Sequence, residues 1–379
     1  MAQGASKVKG VVIHMTKQTK VGETPKNATP VIGIRADAND TIASGHVMRC
    51  IAIARQLIAE GSRVIFFTAD EYAGNLLEQA GMQYVCLHTR WDHMEDEIPL
   101  LRQELLKADC TKLLVDSYQV TDKYFRDLSD LCRLIYMDDC FEAVYPVDMV
   151  IDYNAYHVRF PYEETYDGSV KLLLGTAYVP LREEFVSVTH VRVRNDGGSI
   201  ENMEDTHILL SSGGGDPCNA LSGILSEAMR DRMLQNMTFD VVVGGYNRNV
   251  EELEQHAKEH PNVRLHYQVN HMAELMRQCT VAVSAAGTTL YELCATQTPT
   301  VFFGSADNQQ YDHEYFAEEE RMLYAGDIRD DRDECLSKIC SHLKLILKDE
   351  KMRDIMKRKL YEVTDGRGAQ RIAEEIIRL

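Results

Sequence analysis

The sequence predicts an α/β protein built from two successive domains, each a parallel sheet with helices on both faces, set across a cleft. Three observations predict it. Short apolar runs alternate with amphipathic helical stretches from Val31 onward. That alternation is broken once, by the charged and glycine-containing "VRVRNDGGSIENMED", and then restarts with the same rhythm. A length of 379 residues suits two or three domains, and 45% hydrophobic with 26% charged residues suffices for real cores.

Residues 1–30 are basic and polar without sustained periodicity and read as a loosely held extension. The first domain is expected over 31–185, with strands at Val31–Ile34, Arg63–Thr68, Tyr84–Leu87, Lys112–Asp116, Leu134–Met137 and Met149–Asp152. Between them "HVMRCIAIARQLIAEG" carries a helical stripe at Val47, Ile51, Ala54 and Ile58, closed by Gly61. "AGNLLEQAG" and "TDKYFRDLSDLCR" are further helices. A linker is expected over 186–205 and a second domain over 206–350. Its strands are "THILLSS", "FDVVVGG", "NVRLHY", "TVAVS" and "PTVFF", alternating with four helices. The segment 351–379 ends in the amphipathic "GAQRIAEEIIRL", which is expected to tie the two lobes together.

Composition removes several function classes. A formal charge of -18 argues against gripping a nucleic-acid backbone, which takes lysine and arginine. The ten scattered cysteines form no CxxC pair and sit mostly among apolar neighbours, as buried thiols of a reduced cytoplasm would. No apolar run approaches a membrane span. A cytoplasmic monomer with a small-molecule substrate, no nucleic acid and no membrane partner is expected.

Two loops of the second domain suit a nucleotide diphosphate. In "VAVSAAGTTLYELCATQTPTVFF" a strand ends, Ser284 is placed to cap, and Gly287, Thr288 and Thr289 form the first turn of a helix. Helix starts offer unpaired amides and partial positive charge, and glycine permits close approach. Glu292, one turn on, is placed to accept from a ribose diol. The bland alternative is an ordinary strand–turn–helix with a solvated Glu292. A second loop, "SSGGGDP", brings Gly213, Gly214 and Gly215 after the domain's first strand. Neither GxxxxGK[ST] nor GxGxxG occurs, so neither P-loop chemistry nor a dinucleotide cofactor is favoured.

The segment "SAAGTTLYELCATQTPTVFFGSADNQQYDHEYF" resembles the UDP-binding lobe of GT-B glycosyltransferases of the lipid-II-forming (MurG) type. The resemblance assigns Gly287, Thr288 and Thr289 to the diphosphate, Glu292 to the ribose, and Val269 and Met272 to the surroundings of the uracil. In the first domain, "IRADANDTIASGHVMRCIAIARQL" resembles the signature of the UDP-2,4-diacetamido-2,4,6-trideoxy-β-L-altropyranose hydrolase (PseG) family. That implies a GT-B fold and removal of UDP by water attack at C1 with inversion, without a metal or cofactor. It also implies a place in pseudaminic acid (nonulosonate) biosynthesis, which serves flagellin glycosylation.

The family's catalytic histidine matches His46. With Ser44 as cap, the dipole of the helix opposes charge on the ring, leaving it able to accept a proton from water. The resemblance also assigns Tyr118 to the sugar, Asn308 to the reacting centre and Gln309 to the nucleotide-sugar. Ser44 and Gly45, with Arg35, Asp37 and Arg49, complete the expected substrate-facing loop. Asp138 and Asp139 read as loop acids near the cleft, and His88, Asp92 and His93 as a polar loop more than a metal site. Two other readings stay open: a GT-B transferase using a polysaccharide or lipid acceptor, and a nucleotide-sugar binder without activity.

Overall fold

A computed structural model of the chain describes residues 29–189, 206–309 and 311–379, apart from the side chains of 187–189 and 308. Nearly all of the expected N-terminal extension, most of the linker and the side chain of Asn308 therefore lie outside the described residues.

Strands β1 (Val31–Ala36), β2 (Arg63–Thr68), β3 (Gln83–Cys86), β4 (Cys110–Asp116), β5 (Arg133–Met137), β6 (Met149–Asp152) and β7 (Lys171–Leu174) form one sheet in the order β3-β2-β1-β4-β5-β6-β7. Strands β8 (His207–Ser211), β9 (Thr238–Val243), β10 (Val263–Tyr267), β11 (Val281–Ala285), β12 (Thr300–Gly304) and β13 (Leu323–Asp327) form the other, ordered β10-β9-β8-β11-β12-β13. Every pairing is parallel. The continuous burial of inner strands such as β1, β9 and β11 explains why these read as apolar runs without alternation.

The first lobe carries helices α1 (Gly45–Ala59), α2 (Gly74–Gln79), α3 (Ile98–Ala108), α4 (Asp122–Leu128) and the short α5 (Tyr162–Thr165). The second carries α6 (Ala220–Arg230), α7 (Val250–Glu259), α8 (Met272–Gln278) and α9 (Thr288–Ala295), followed by α10 (Arg332–Lys348), α11 (Glu350–Tyr361) and α12 (Gly368–Arg378). In both sheets the strand order reverses beside the first strand, at β1/β4 and at β8/β11. A crevice opens beyond the strand C-termini at such a reversal, so the loops after these four strands are where a ligand is expected.

Elements that the sequence reading did not name include β7, β13, α3, α5 and α10. Strand β13 holds Gly326 in its interior, which weakens the strand signal. Helix α3 starts with Pro99 in its first turn, where a missing N–H costs nothing although proline usually signals a break. On α1 the buried stripe ends at Leu57, while Ile58, expected on it, is 46% exposed.

Helix α12 returns to the first lobe. Ala369, Ile372, Ala373 and Ile376 join the core that contains Val47, Ile51 and Ala54 of α1. Gly368 makes the docking possible, since a Cβ there would lie 2.2 Å from the Val179 carbonyl oxygen. Lys112 then donates to the carbonyls of Ile376 and Ile377 at 2.6 and 2.8 Å. Met356 of α11 packs instead in the second-lobe core beside Ile346 and Leu347.

Candidate active site

The loop after β1 is braced from beneath by buried charge. Arg35 is fully buried, with Nε and Nη2 donating to Glu97 at 2.7 and 2.8 Å and Nη1 donating to Asp37 at 2.5 Å. Tyr124 donates a further bond to Glu97, and the Ala69 amide donates to Asp37. With these partners Arg35 and Asp37 hold the loop in place; the expectation that they line the substrate is corrected on that ground.

Helix α1 then begins in the open. Ser44 makes no side-chain capping bond, contrary to expectation, Gly45 is exposed, and the first turn holds no acidic residue. The Asn39 side chain takes the Thr41 and Ile42 amides instead, at 2.8 and 3.1 Å, which fixes the approach to the helix.

What orients His46 is Asp116, which ends β4 beside Ala36 of β1. Nδ1 of His46 lies 2.6 Å from Asp116 Oδ1. Burial pulls the Asp116 carboxyl up, but Arg49 first and His46 second outweigh it and hold it well below the usual carboxylate range. An ionised carboxylate only accepts, so Nδ1 donates to it, with Arg49 Nη2 at 3.1 Å from the same Nδ1; in the neutral ring that leaves the lone pair on Nε2.

Arg49, one turn along α1, donates from Nε and Nη2 to Asp116 at 2.6 and 2.5 Å. Its Nη1 reaches Asp139 at 3.0 Å and the Tyr153 hydroxyl at 2.7 Å. Tyr118 stands edge-on to His46, with ring centroids 4.9 Å apart, and donates to Asp139 at 3.0 Å. Asp139 thus joins the His46 network, while buried Asp138 accepts the Cys140 and Phe141 amides and shapes the turn.

The network crosses the cleft. The Tyr153 hydroxyl lies 3.3 Å from Oγ1 of Thr288, the first residue of α9. A chain of side chains therefore runs from Asp116 and His46 in one lobe to the expected diphosphate turn in the other. Asp116 and Tyr153 were missed in the sequence reading. Asp116 carried a signal, an acid ending an apolar strand beside the first strand; Tyr153 carried none.

The second lobe's two glycine loops differ. Asp216 accepts the Ala220 and Leu221 amides at 2.8 and 3.1 Å, so the start of α6 is satisfied from within. At α9 the N-cap is Gly287 with φ 112°, without a side-chain cap or an acid in the first turn. Ser284, the expected cap, lies within β11 and donates to the Ala285 carbonyl. Asp312, 3% exposed, lies beside the Gly287 backbone N–H; burial pushes its carboxyl up to about 7, the amide opposing and Asp139 reinforcing the rise. Gln309 accepts from Ser305, and its Nε2 faces Gly287.

Gly213, Gly214 and Gly215 are half-buried at the lobe boundary, where a Cβ on Gly214 would lie 3.2 Å from Ser44 Oγ. The helix start carrying His46 thus faces the glycine loop directly. Glu292 pairs with Arg182 at 3.1 Å across the lobes, and burial pushes its carboxyl up against that arginine. Arg182 also meets Glu184, which takes the Ala273 amide beside half-buried Met272 and Val269. Arg182 and Glu184 were missed in the sequence reading too.

Among the described residues one trio has metal-ligand spacing: Glu71, Cys86 and His88, with donor atoms within 4.8 Å of one another. It sits at edge strand β3, three strand positions from β4. Asp92 is paired instead with Arg90 at 2.8 Å. Among the described residues no helix is long and apolar enough to cross a membrane.

Comparison with known proteins agrees with this architecture. Residues 208–372 match the glycosyltransferase family 28 C-terminal domain. MurG of Acinetobacter baumannii superposes with a TM-score of 0.59 at 13% identity, covering 93% of this chain and 100% of that one. An uncharacterized protein of Methanocaldococcus jannaschii is 24% identical over 280 residues, 71% of this chain and 54% of that protein, so the chain spans about half of that relative's length. The UDP-2,4-diacetamido-2,4,6-trideoxy-β-L-altropyranose hydrolase of Campylobacter jejuni is 23% identical over 261 residues, 68% of this chain and 85% of that protein.

The class is therefore the GT-B fold, two parallel-sheet lobes around a cleft. Within it, the match of residues 208–372 to the family 28 C-terminal domain and the likeness to the Campylobacter jejuni hydrolase support a PseG-like, UDP-sugar-processing family.

Proposed function

We propose that this chain hydrolyses UDP-2,4-diacetamido-2,4,6-trideoxy-β-L-altropyranose, as a cytoplasmic monomer acting in pseudaminic acid biosynthesis. The observation that carries the reading is His46 held by ionised Asp116 at 2.6 Å, on a helix start that faces the Gly213–Gly215 loop. In this reading Nε2 takes a proton from a water as that water's oxygen forms a bond to C1. The C1–O bond breaks with inversion, and its electron pair leaves on UDP.

The Gly287, Thr288 and Thr289 turn receives the developing charge, with Glu292 on the ribose once Arg182 yields it. In this reading Tyr118 faces the sugar, and Asn308 keeps the role at the reacting centre that the resemblance implies. General-base assistance supplies about 10²–10⁴-fold, so leaving-group stabilisation and positioning supply much of the rest. Transfer of the sugar to an acceptor is the second reading, favoured by the match to a glycosyltransferase C-terminal domain.

NMR of the purified protein with this UDP-sugar, in EDTA and without acceptor, separates the two. Release of UDP and free sugar by the wild type but not by His46→Ala supports hydrolysis. Tight binding without turnover would sink it in favour of transfer.

A further inference from the structure

Two buried amide groups at the lobe boundary lack an acceptor. Asn39 is 5% exposed and Asn247 9% exposed, and neither Nδ2 has a hydrogen-bond partner. Their orientation is fixed, because each Oδ1 already accepts backbone N–H groups: Thr41 and Ile42 for Asn39, Asn249 for Asn247. A flipped amide would lose those bonds without rescuing the orphan. Leaving a buried donor unpaired is costly, so each such group calls for a reason.

Both residues lie in loops that meet at Gly214. Asn39 bridges to Ala43, and Ala43 and Ser44 are the first-lobe atoms that a Cβ on Gly214 would meet, at 3.4 and 3.2 Å. On the other side the Gly214 carbonyl takes the Tyr246 amide at 2.9 Å, next to Asn247. Gly244 is pressed so closely on Gly213 and Gly214 that a Cβ would lie within 2.5 Å of both carbonyl oxygens. Arg248 and Asp40 then tie the two loops across the lobes at 3.0 Å.

The same junction includes the uncapped start of α1, a 15-residue helix without an acid in its first turn. Of the acids close by, Asp40 is matched by Arg248 and Asp37 by Arg35, while Asp70 accepts the Tyr72 amide. Unpaired amides, a helix dipole and glycine backbone together favour an acceptor-only, anionic group.

We infer that Asn39 and Asn247 donate from opposite lobes to phosphoryl oxygens of the nucleotide diphosphate, forming a clamp with the start of α1. This rests on the UDP-sugar reading and adds to it a first-lobe grip on the leaving group. Because one donor comes from each lobe, the diphosphate itself holds the cleft in register. Asn39 and Asn247 are positioning residues in the hydrolysis.

The test is calorimetric binding of UDP and of uridine to wild type, Asn39→Ala and Asn247→Ala. A hydrogen bond to a charged group implies about a 10-fold or greater loss of UDP affinity in each variant. Uridine binding should stay unchanged, because it lacks the phosphates. Asn39→Asp retains the acceptor for Thr41 and Ile42 but removes the donor, so it should weaken UDP further while melting like the wild type. Equal losses for UDP and uridine would mean a loosened loop and overturn the clamp. So would unchanged UDP affinity with a raised KM for the UDP-sugar, which would move the amides to the sugar. Wild type that binds UDP but releases no free sugar would defeat the hydrolase reading and leave the clamp standing; wild type that fails to bind UDP would defeat both.

Discussion

The two lobes present different chemistry to the same cleft. The first offers ionisable side chains locked to one another: His46 on Asp116, and Arg49 on Asp116, Asp139 and Tyr153. The second offers mostly backbone and hydroxyls, the glycines at 213–215 and the open turn at Gly287 to Thr289. Side chains in a buried network hold an atom to a fraction of an ångström, which proton transfer needs. Backbone amides at glycines accept a large anion and bring little desolvation penalty of their own. The difference suits a division in which one lobe reacts and the other holds.

Substitutions at each lobe sharpen or break that division. The largest effect is expected for His46→Ala, a fall in turnover of about 10²–10⁴-fold with UDP affinity unchanged within about 2-fold. Single-turnover NMR beside calorimetry reads both quantities, and a parallel loss of UDP affinity would erase the distinction between lobes.

Asp116→Asn should come next. It leaves one acceptor oxygen where His46 and Arg49 now share two and sets an NH2 against one of those donors, so His46 Nδ1 or the Arg49 guanidinium loses a partner in a buried site. A turnover loss of about 10²-fold and a destabilisation of about 3–5 kcal/mol are expected, the latter from urea denaturation. Because the folded value of Asp116 lies below the ordinary one, its stabilisation is present above the unfolded pKa and lost as the pH falls through the folded one. Acid should therefore unfold the wild type more steeply than the variant.

Thr288→Val tests the holding lobe, removing one hydroxyl from the diphosphate turn and from Tyr153. KM should rise by about 10-fold while kcat changes far less, in line with the loss of one hydrogen bond. A kcat loss as large as that of His46→Ala would place Thr288 with the reacting groups.

The smallest effect concerns pH. Asp312, pushed up to about 7, is part protonated at neutrality. As pH rises through that value its carboxylate forms beside Gly287 and repels an incoming diphosphate, so UDP affinity should fall a few-fold from about pH 6 to about pH 8. Stability follows the same sign: a folded pKa above the unfolded one contributes below the unfolded value, and that contribution is lost on passing through about 7. Asp312→Asn should flatten the difference in UDP affinity between the two pH values; an identical slope in wild type and variant would remove Asp312 from the site.

The sequence by itself determined the layout. Buried parallel strands are apolar along their whole length, and amphipathic helices repeat every 3.6 residues, so both periods are written locally. The Ser-Gly-His turn, the Gly-Thr-Thr turn and the triple glycine were visible for the same reason: each is a short stretch of backbone chemistry beside a strand end. Tertiary structure alone decided which acids and cations meet. Asp116 is 70 residues from His46 and Asp139 is 90 from Arg49, and nothing near any of them announces the partner. Arg35 looked like a cleft residue until packing placed Glu97, 62 residues away, beneath it. Tyr153 and Thr288 meet only because two separately folded sheets turn their strand C-termini toward each other. Local periodicity is a property of neighbouring residues, whereas a buried charge network depends on desolvation and distances that exist only once both sheets have closed on the cleft.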